Sequence, residues 1–456
     1  MSYLAVDDDI CALATVPGVS ALAVIRCAGP LCIEKLALIT NKPQKFASIM
    51  GYQALYAEIR DGTECVDECV FVAFRAPKSP TGQDSIDIMC HGGTVTVRKI
   101  LSLLEKHGFR TALPGEFMFR AVYTGKTDVL TAEAVDELIR AQTDTAQEAA
   151  VKKLKGGLRS EFEVLHAHLI AGAAACAVQL DYGEEEAGET IEVMMRELDT
   201  AYHLCTELTS SYAKGRLMQE GALVVLAGKT NAGKSSLFNR ILKEERSIVS
   251  EVHGTTRDYV EAALDIGGIP VRLIDTAGLR ETEDAIEAEG VRRTELLAES
   301  ADVVIYVVDG TQGCTSDDEE LMQTFRRCIK VWNKTDSEQI LPVPAVSADE
   351  WIKTAAKTGA GEHELIQRLY VMLTEGSNKG ASLSCAVSSK RQYAILQRIE
   401  HYLKNLCEKI QYAKQHYFDM YYVDIQEILA IYAELVGETD PEMILDSVFS
   451  QFCVGK

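Results

Sequence analysis

A chain of 456 residues, 47% hydrophobic and 25% charged, has the length of about three domains and the composition of an ordinary globular protein. Its net charge of −22 excludes a protein that grips nucleic acid through bulk positive charge, and leaves that task to a local patch or a basic partner. Its 13 cysteines lack the paired short spacing of a zinc framework and fit free thiols in a reducing compartment.

The start of the chain, Met1 to Asp9, is acidic and lacks the basic region of a signal peptide. Residues 1–123 mix β-like runs (22–26, 70–74, 85–89) with turn signals at Pro17-Gly18 and Asp61-Gly62, and with a helical pattern at 95–107. An α+β domain is expected there. From 124 to 220 Ala, Glu, Leu, Gln and Lys dominate. Leu154, Leu158, Phe162, Leu165 and Leu169 recur at helical spacing and predict a stripe of core packing between helices. The longest apolar run, near 169–180, reads as too short to span a bilayer, so a cytoplasmic protein with no membrane association is expected. A second helical piece, 377–456, carries Ile395, Ile399 and Leu403 on one face.

Between the helical pieces, 221–376 alternates strands (222–227, 271–274, 303–308, 329–331) with helices. That order predicts a parallel-rich sheet flanked by helices, a Ras-like P-loop domain inserted into the helical domain. The fold class is thus multidomain α/β plus α.

Gly228 to Ser235 reads G-x-x-x-x-G-K-S between an apolar run and a helical stretch, the context a phosphate-binding loop requires. Glycines let backbone N–H groups converge on phosphate oxygens, and the helix N-terminus adds its dipole. Asn231, Ala232, Gly233, Lys234, Ser235 and Ser236 are candidate contacts, with Lys234 on the β- and γ-phosphates and Ser235 on Mg²⁺. Downstream, a strand ends in Asp275-Thr276-Ala277-Gly278, which places Asp275 near the Mg²⁺ water shell and the Gly278 N–H near the γ-phosphate. Gly254-Thr255-Thr256 precedes it and offers Thr256 as the second side chain on Mg²⁺. Asn333-Lys334-Thr335-Asp336 selects guanine, because a carboxylate at Asp336 can accept from N1–H and the 2-amino group, which adenine does not present. Either Val346-Ser347-Ala348 or residues 354–359 should bring a backbone donor to guanine O6. The later one, with Ala355, Ala356 and Lys357, is preferred, although Ala355 stands where that motif usually has Ser.

Leu279 occupies the place where Ras-like GTPases carry the Gln that orients the attacking water. Leucine cannot hydrogen-bond water, so the catalytic group comes from elsewhere. Glu283, Asp284 and Glu287 follow closely, and no arginine finger is assignable.

Further motifs point the same way: Ala14-Thr15-Val16-Pro17-Gly18, Ala23-Val24-Ile25-Arg26, His91-Gly92-Gly93, Pro114-Gly115-Glu116-Phe117 with Arg120-Ala121, Lys126 before Ala132-Glu133-Ala134, and the terminal Phe452-Cys453-Val454-Gly455-Lys456. With the GTPase motifs, they make the chain resemble the tRNA-modification GTPases of the MnmE (TrmE) family over essentially its whole length. The resemblance implies a dimer-forming N-terminal domain that binds a tetrahydrofolate derivative (5,10-methylene or 5-formyl). Arg26, Lys126 and Lys456 carry over as folate contacts, as does Asp87 where the family has Glu. Cys453 carries over as the essential cysteine of the tail.

In the nucleotide domain the resemblance implies K⁺ held by Asn231, Ser250, Val252 and Thr255, with Ser250 and Thr255 also beside GTP. A cation there would neutralise developing charge as a guanidinium does. Glu287 matches the general base or water-orienting residue, and Thr230 stands where the family typically has Pro. The implied partners are a second copy of the chain in a homodimer, tRNA, and MnmG (GidA) in a heterotetramer, which brings FAD and NADH and carries part of the tRNA binding. The implied product is an aminomethyl or carboxymethylaminomethyl group on C5 of the wobble uridine. The alternative is a GTP-dependent ribosome-assembly scaffold that binds RNA. Such a protein would share the nucleotide motifs but carry a basic RNA-binding module in place of the folate-like domain and the C-x-G-K tail.

Overall fold

The computed structural model describes residues 6–181, 190–244, 260–275, 297, 300–344, 350–375, 385–413, 415–438, 452 and 455. The N-terminal part runs β1 (Ile10–Leu13), β2 (Leu22–Ala28), α1 (Cys32–Leu38), α2 (Pro43–Ala47), β3 (Gln53–Asp61), β4 (Glu64–Phe74), β5 (Ser85–His91), α3 (Thr94–Lys106), β6 (Arg110–Thr111) and α4 (Glu116–Tyr123). Its six strands form one sheet in the order β3-β4-β5-β2-β1-β6. Alternation sorts the side chains to two faces. Ala23, Ile25 and Cys27 of β2, Phe71 of β4, and Ile86, Ile88 and Cys90 of β5 join Ile100, Leu103 and Leu104 of α3 in a buried core. Arg26 of β2 and Asp87 of β5 stand opposite each other, out of phase with these core residues. The three β-like runs expected from sequence all lie within longer strands, and the helix expected at 95–107 is α3. The short β1 and β6 and the nine-residue β3 were not anticipated.

The Pro114-Gly115-Glu116-Phe117 motif is explained here by an ion cluster. Gly115 takes a left-handed conformation (φ 67°) and starts α4. Glu116 is fully buried and accepts from Arg110 at 2.6 and 3.0 Å, from Arg120 at 2.9 Å and from the Leu113 N–H at 2.8 Å. Arg120, also fully buried, donates to the Asp8 carbonyl at 2.6 Å and to Gln83 at 3.0 Å.

Helices follow: α5 (Val129–Arg140), α6 (Asp144–Leu154), α7 (Gly157–Asp181) and α8 (Thr190–Glu220). The expected stripe from Leu154 to Leu169 is not continuous. Gly156, at φ 90°, separates α6 from α7, and Leu154 is 37% exposed, while Leu158, Phe162, Leu165 and Leu169 are buried. The apolar run read as too short belongs to α7, whose 25 residues make it the one helix, among the described residues, long and apolar enough to cross a bilayer. A core helix satisfies the same criterion, and one face of α7 is buried, Leu165, Leu169 and Cys176 completely.

The second sheet is built by β7 (Ala222–Ala227), α9 (Lys234–Glu244), β8 (Val260–Ile266), β9 (Ile269–Asp275), β10 (Val303–Asp309), α10 (Ser316–Thr324), β11 (Cys328–Asn333), β12 (Trp351–Lys353) and α11 (Glu362–Thr374). Its order is β12-β11-β10-β7-β9-β8, parallel except for the antiparallel edge pair β8–β9. The fully buried β10 reads Val-Val-Ile-Tyr-Val-Val-Asp, as a central strand covered on both faces should. Two further helices are α12 (Lys390–Tyr412) and α13 (Phe418–Val436), and Ile395, Ile399 and Leu403 of α12 are buried.

Two compact units emerge: Met1–Asp136 with Phe162–Tyr202 and Ala394–Lys456, and Glu137–Glu161 with His203–Tyr393. In the first, Tyr432 of α13 donates to the Phe162 carbonyl at 3.1 Å, and Phe452 packs with Phe119, Val129 and Ala132. Gly455, at φ 97°, lies so close to Leu13 and Ala14 that a Cβ would sit 2.5 Å from the Leu13 carbonyl oxygen. In the second, the segment returning from the sheet is tied to the helices. The Val387 N–H donates to Ser211 at 3.0 Å, and Ser388 and Lys153 both donate to Glu137, at 2.6 and 2.7 Å.

Candidate functional site

The phosphate loop leaves β7 at Ala227 and enters α9 at Lys234. Its glycines are dictated by crowding. A Cβ on Gly228 (φ 133°) would lie 2.2 Å from the Val307 carbonyl oxygen, and one on Gly233 (φ 97°) 2.2 Å from Asn333 Nδ2. Asn231 is exposed and holds a left-handed conformation (φ 61°) uncommon for a side-chain-bearing residue. Lys234 is buried, and its ammonium donates to the Gly228 and Lys229 carbonyls at 2.8 Å each, so its charge is folded into the loop. Ala232 is buried, while Ser235 and Ser236 are exposed at the first turn of α9. Asp275 ends β9, 2% exposed, beside Leu226 in the register of β7 and β9.

Asn333 ties this loop to the base-reading end. Its Nδ2 donates to the Ala232 carbonyl at 2.8 Å, and its Oδ1 accepts from Thr354 Oγ1 at 3.1 Å and from the Ala356 N–H at 3.3 Å. One buried amide thus joins the phosphate loop, N-K-T-D and the 354–359 segment. Thr335 adds bonds from its N–H and Oγ1 to the Thr354 carbonyl, and Asp336 is exposed. The Ala355 N–H donates to Ala360 O at 3.0 Å and the Ala356 N–H to Asn333, which leaves Lys357 as the backbone donor within this segment for a base. Lys334, in a left-handed turn (φ 64°), is paired with Asp309. Burial opposes ionisation of Asp309, but bonds from Lys334 and Thr311 more than reverse this and hold its carboxyl below the usual range.

Glu287, Leu279, Gly278, Ser250, Val252, Thr255, Thr256, Cys453 and Lys456 lie outside the described residues, as do Glu283, Asp284 and the Val346-Ser347-Ala348 alternative.

In the N-terminal sheet, Arg26 and Asp87 form a bidentate pair with N···O distances of 2.9 and 3.0 Å. The bond to Asp87 raises the Arg26 pKa further. Lys126 is exposed in the turn after α4, where its N–H donates to the Ala121 carbonyl at 2.8 Å. No metal-binding group of three or more His, Cys, Asp or Glu side chains occurs among the described residues.

Sequence reasoning missed Asp309, Lys229 and Asp318. Asp309 is the polar end of an apolar strand followed by Gly310-Thr311. Thr315 and Asp318 form a capping box whose T-x-x-D spacing is legible, but its ion pair with Lys229 is not.

Two family models match the chain: the MnmE helical domain over 129–453 and the GTP-binding protein TrmE N-terminus over 9–126. The tRNA modification GTPase MnmE of Treponema denticola is 38% identical, over 98% of this chain and 98% of its own. The protein of the same name from Thermotoga maritima is 35% identical, over 98% of this chain and all of its own. Among solved structures, Aquifex aeolicus Era bound to GDP and aluminium fluoride is 28% identical over 40% of this chain and 66% of its own, with a TM-score of 0.28.

Proposed function

The chain belongs to the MnmE family and is a GTP hydrolase of tRNA modification, and from that premise we propose that its turnover is stimulated by K⁺ and serves folate-dependent chemistry on the wobble uridine. The observation that carries the GTP site is the Asn333 amide, which holds phosphate loop and base-reading loop in one frame. Gly228 and Gly233 let the loop lie close against Val307 and Asn333, where any Cβ would clash. Lys234 can exchange loop carbonyls for phosphate oxygens, and Asp336 offers the carboxylate that guanine pairs with.

Mg²⁺ would be held by Ser235 and Thr256, and K⁺ by Asn231 with Ser250, Val252 and Thr255. The exposed Asn231 side chain, projected by its left-handed backbone, suits a ligand role at the phosphates. A cation there supplies electrostatic stabilisation of charge developing on phosphate oxygens. Glu287 would orient the attacking water in place of the glutamine that Leu279 cannot mimic.

For the other half of the function, Arg26 and Asp87 with Lys126 and Lys456 would bind the folate. Support comes from the Arg26–Asp87 pair and from the tail, whose Phe452 and Gly455 are seated on the N-terminal domain. Cys453 lies between those two anchors in sequence. Assembly as a homodimer and as a heterotetramer with MnmG, which would supply FAD and NADH, completes the reading. It is tested by comparing GTP turnover in KCl and NaCl at equal ionic strength, and by nucleoside analysis of tRNA from a null strain. Equal turnover in both salts would reject the K⁺ role, and unaltered wobble uridines would reject the modification.

A further inference from the structure

The segment from Asp309 to Asp318 touches both ends of the nucleotide site. At its start, Asp309 Oδ2 accepts from Lys334 Nζ at 2.6 Å, while Oδ1 accepts from the Thr311 N–H at 2.9 Å and its hydroxyl at 2.7 Å. At its end, Asp318 Oδ2 accepts from Lys229 Nζ at 2.9 Å and Oδ1 from the Tyr306 hydroxyl at 2.7 Å. Lys229 also donates to Thr315 Oγ1 at 2.6 Å. Both carboxylates are nearly buried, with side chains 8% and 3% exposed. A buried carboxylate holds its cation firmly because the unpaired charge is costly. Gly310 closes the start of the segment against the base-reading loop. Its N–H donates to the Asn333 carbonyl at 2.9 Å, and a Cβ there would sit 2.7 Å from that oxygen.

We propose that this segment is a brace for nucleotide binding, in which Asp309 positions Lys334 at the base end and Asp318 positions Lys229, and with it the phosphate loop. The inference rests on reading the phosphate loop and N-K-T-D as the GTP site. Neither aspartate touches the nucleotide. Each fixes the lysine of a loop that does, so its loss raises the mobility of the site before GTP arrives.

The test is stopped-flow release of a fluorescent GDP analogue, with KM and kcat for GTP, on the full-length protein carrying Asp309→Asn or Asp318→Asn. Each is expected to release the analogue about tenfold faster and to raise KM more than it lowers kcat. Lys229→Arg should keep the wild-type rate, and Lys229→Gln should match Asp318→Asn, with the double variant no worse than either alone. Lys229→Gln also serves the phosphate end if Asp318→Asn does not fold. Asp336→Asn is the control for the site itself. Release unchanged in the Asp309, Asp318 and Lys229 variants, with guanine binding lost in Asp336→Asn, overturns the brace. Binding unchanged in Asp336→Asn overturns the reading of the site, and the brace with it.

Discussion

Arg26 and Asp87 face each other across β2 and β5, and the guanidinium gives the carboxylate two parallel hydrogen bonds of 2.9 and 3.0 Å. This fork-to-fork geometry is specific as well as strong. Direct cross-strand pairing brings the backbones close enough for the short aspartate side chain to reach. We predict that Asp87→Ala, which strips a half-buried guanidinium of its partner, lowers stability by about 1–3 kcal/mol and weakens 5-formyl-tetrahydrofolate binding about tenfold or more. Asp87→Glu should stay close to wild type. Calorimetric titration of each variant decides it: undiminished folate binding in Asp87→Ala would reduce the pair to a sheet staple.

Base selection gives a second prediction. An Asp336 carboxylate would accept from the guanine 2-amino group, whereas an asparagine amide would donate. Asp336→Asn should therefore lose GTP affinity by a factor of about 10² or more and gain affinity for xanthosine triphosphate, whose 2-oxo group accepts. Competition between the two nucleotides reads the switch, and an unchanged preference for guanine would place base recognition elsewhere.

How much of this was legible in sequence depends on the range of the interaction. Strand β7, the phosphate loop and α9 follow one another along the chain, so periodicity, glycine and Lys-Ser spacing revealed them together. Arg26 and Asp87 were legible only through the resemblance, since their contact spans 61 positions and depends on a register that β2 alone does not encode. Lys229 and Asp309 left no local trace, because each is an ordinary surface-type residue until its distant partner arrives. Gly156 illustrates the opposite error. Leucine spacing continued through it, but a glycine with positive φ ends one helix and permits the next to begin in a new direction.

The buried cluster at Glu116 yields a prediction about pH. Burial alone would raise its carboxyl, but bonds from Arg110, the Leu113 N–H and Arg120 reverse this and hold it below the ordinary range. A carboxyl lowered on folding contributes stability that is complete above its unfolded value, about 4.3. That contribution is lost as pH falls through the folded value. Glu116→Gln should lose about 3–5 kcal/mol at neutral pH, as breaking a buried ion pair does. Its stability should also fall less steeply than wild type on the acid side. Denaturant melts at neutral pH and near pH 4 test both. Parallel acid limbs would mean that other carboxylates carry the effect.

The last prediction separates what Asn231 does with its side chain from what it does with its backbone. At φ 61° a residue with a Cβ is strained, by about 1–2 kcal/mol for most types and less for asparagine. Glycine takes this conformation freely, whereas alanine does not. Asn231→Gly thus removes the carboxamide and keeps the loop, while Asn231→Ala removes the carboxamide and strains the loop. If the carboxamide binds K⁺, both variants lose the difference in GTP turnover between KCl and NaCl. Only Asn231→Ala should also weaken GDP binding, by a few-fold, because only there does the empty loop favour another shape. K⁺ stimulation that survives in Asn231→Gly would show that the cation, if bound, is held without this side chain.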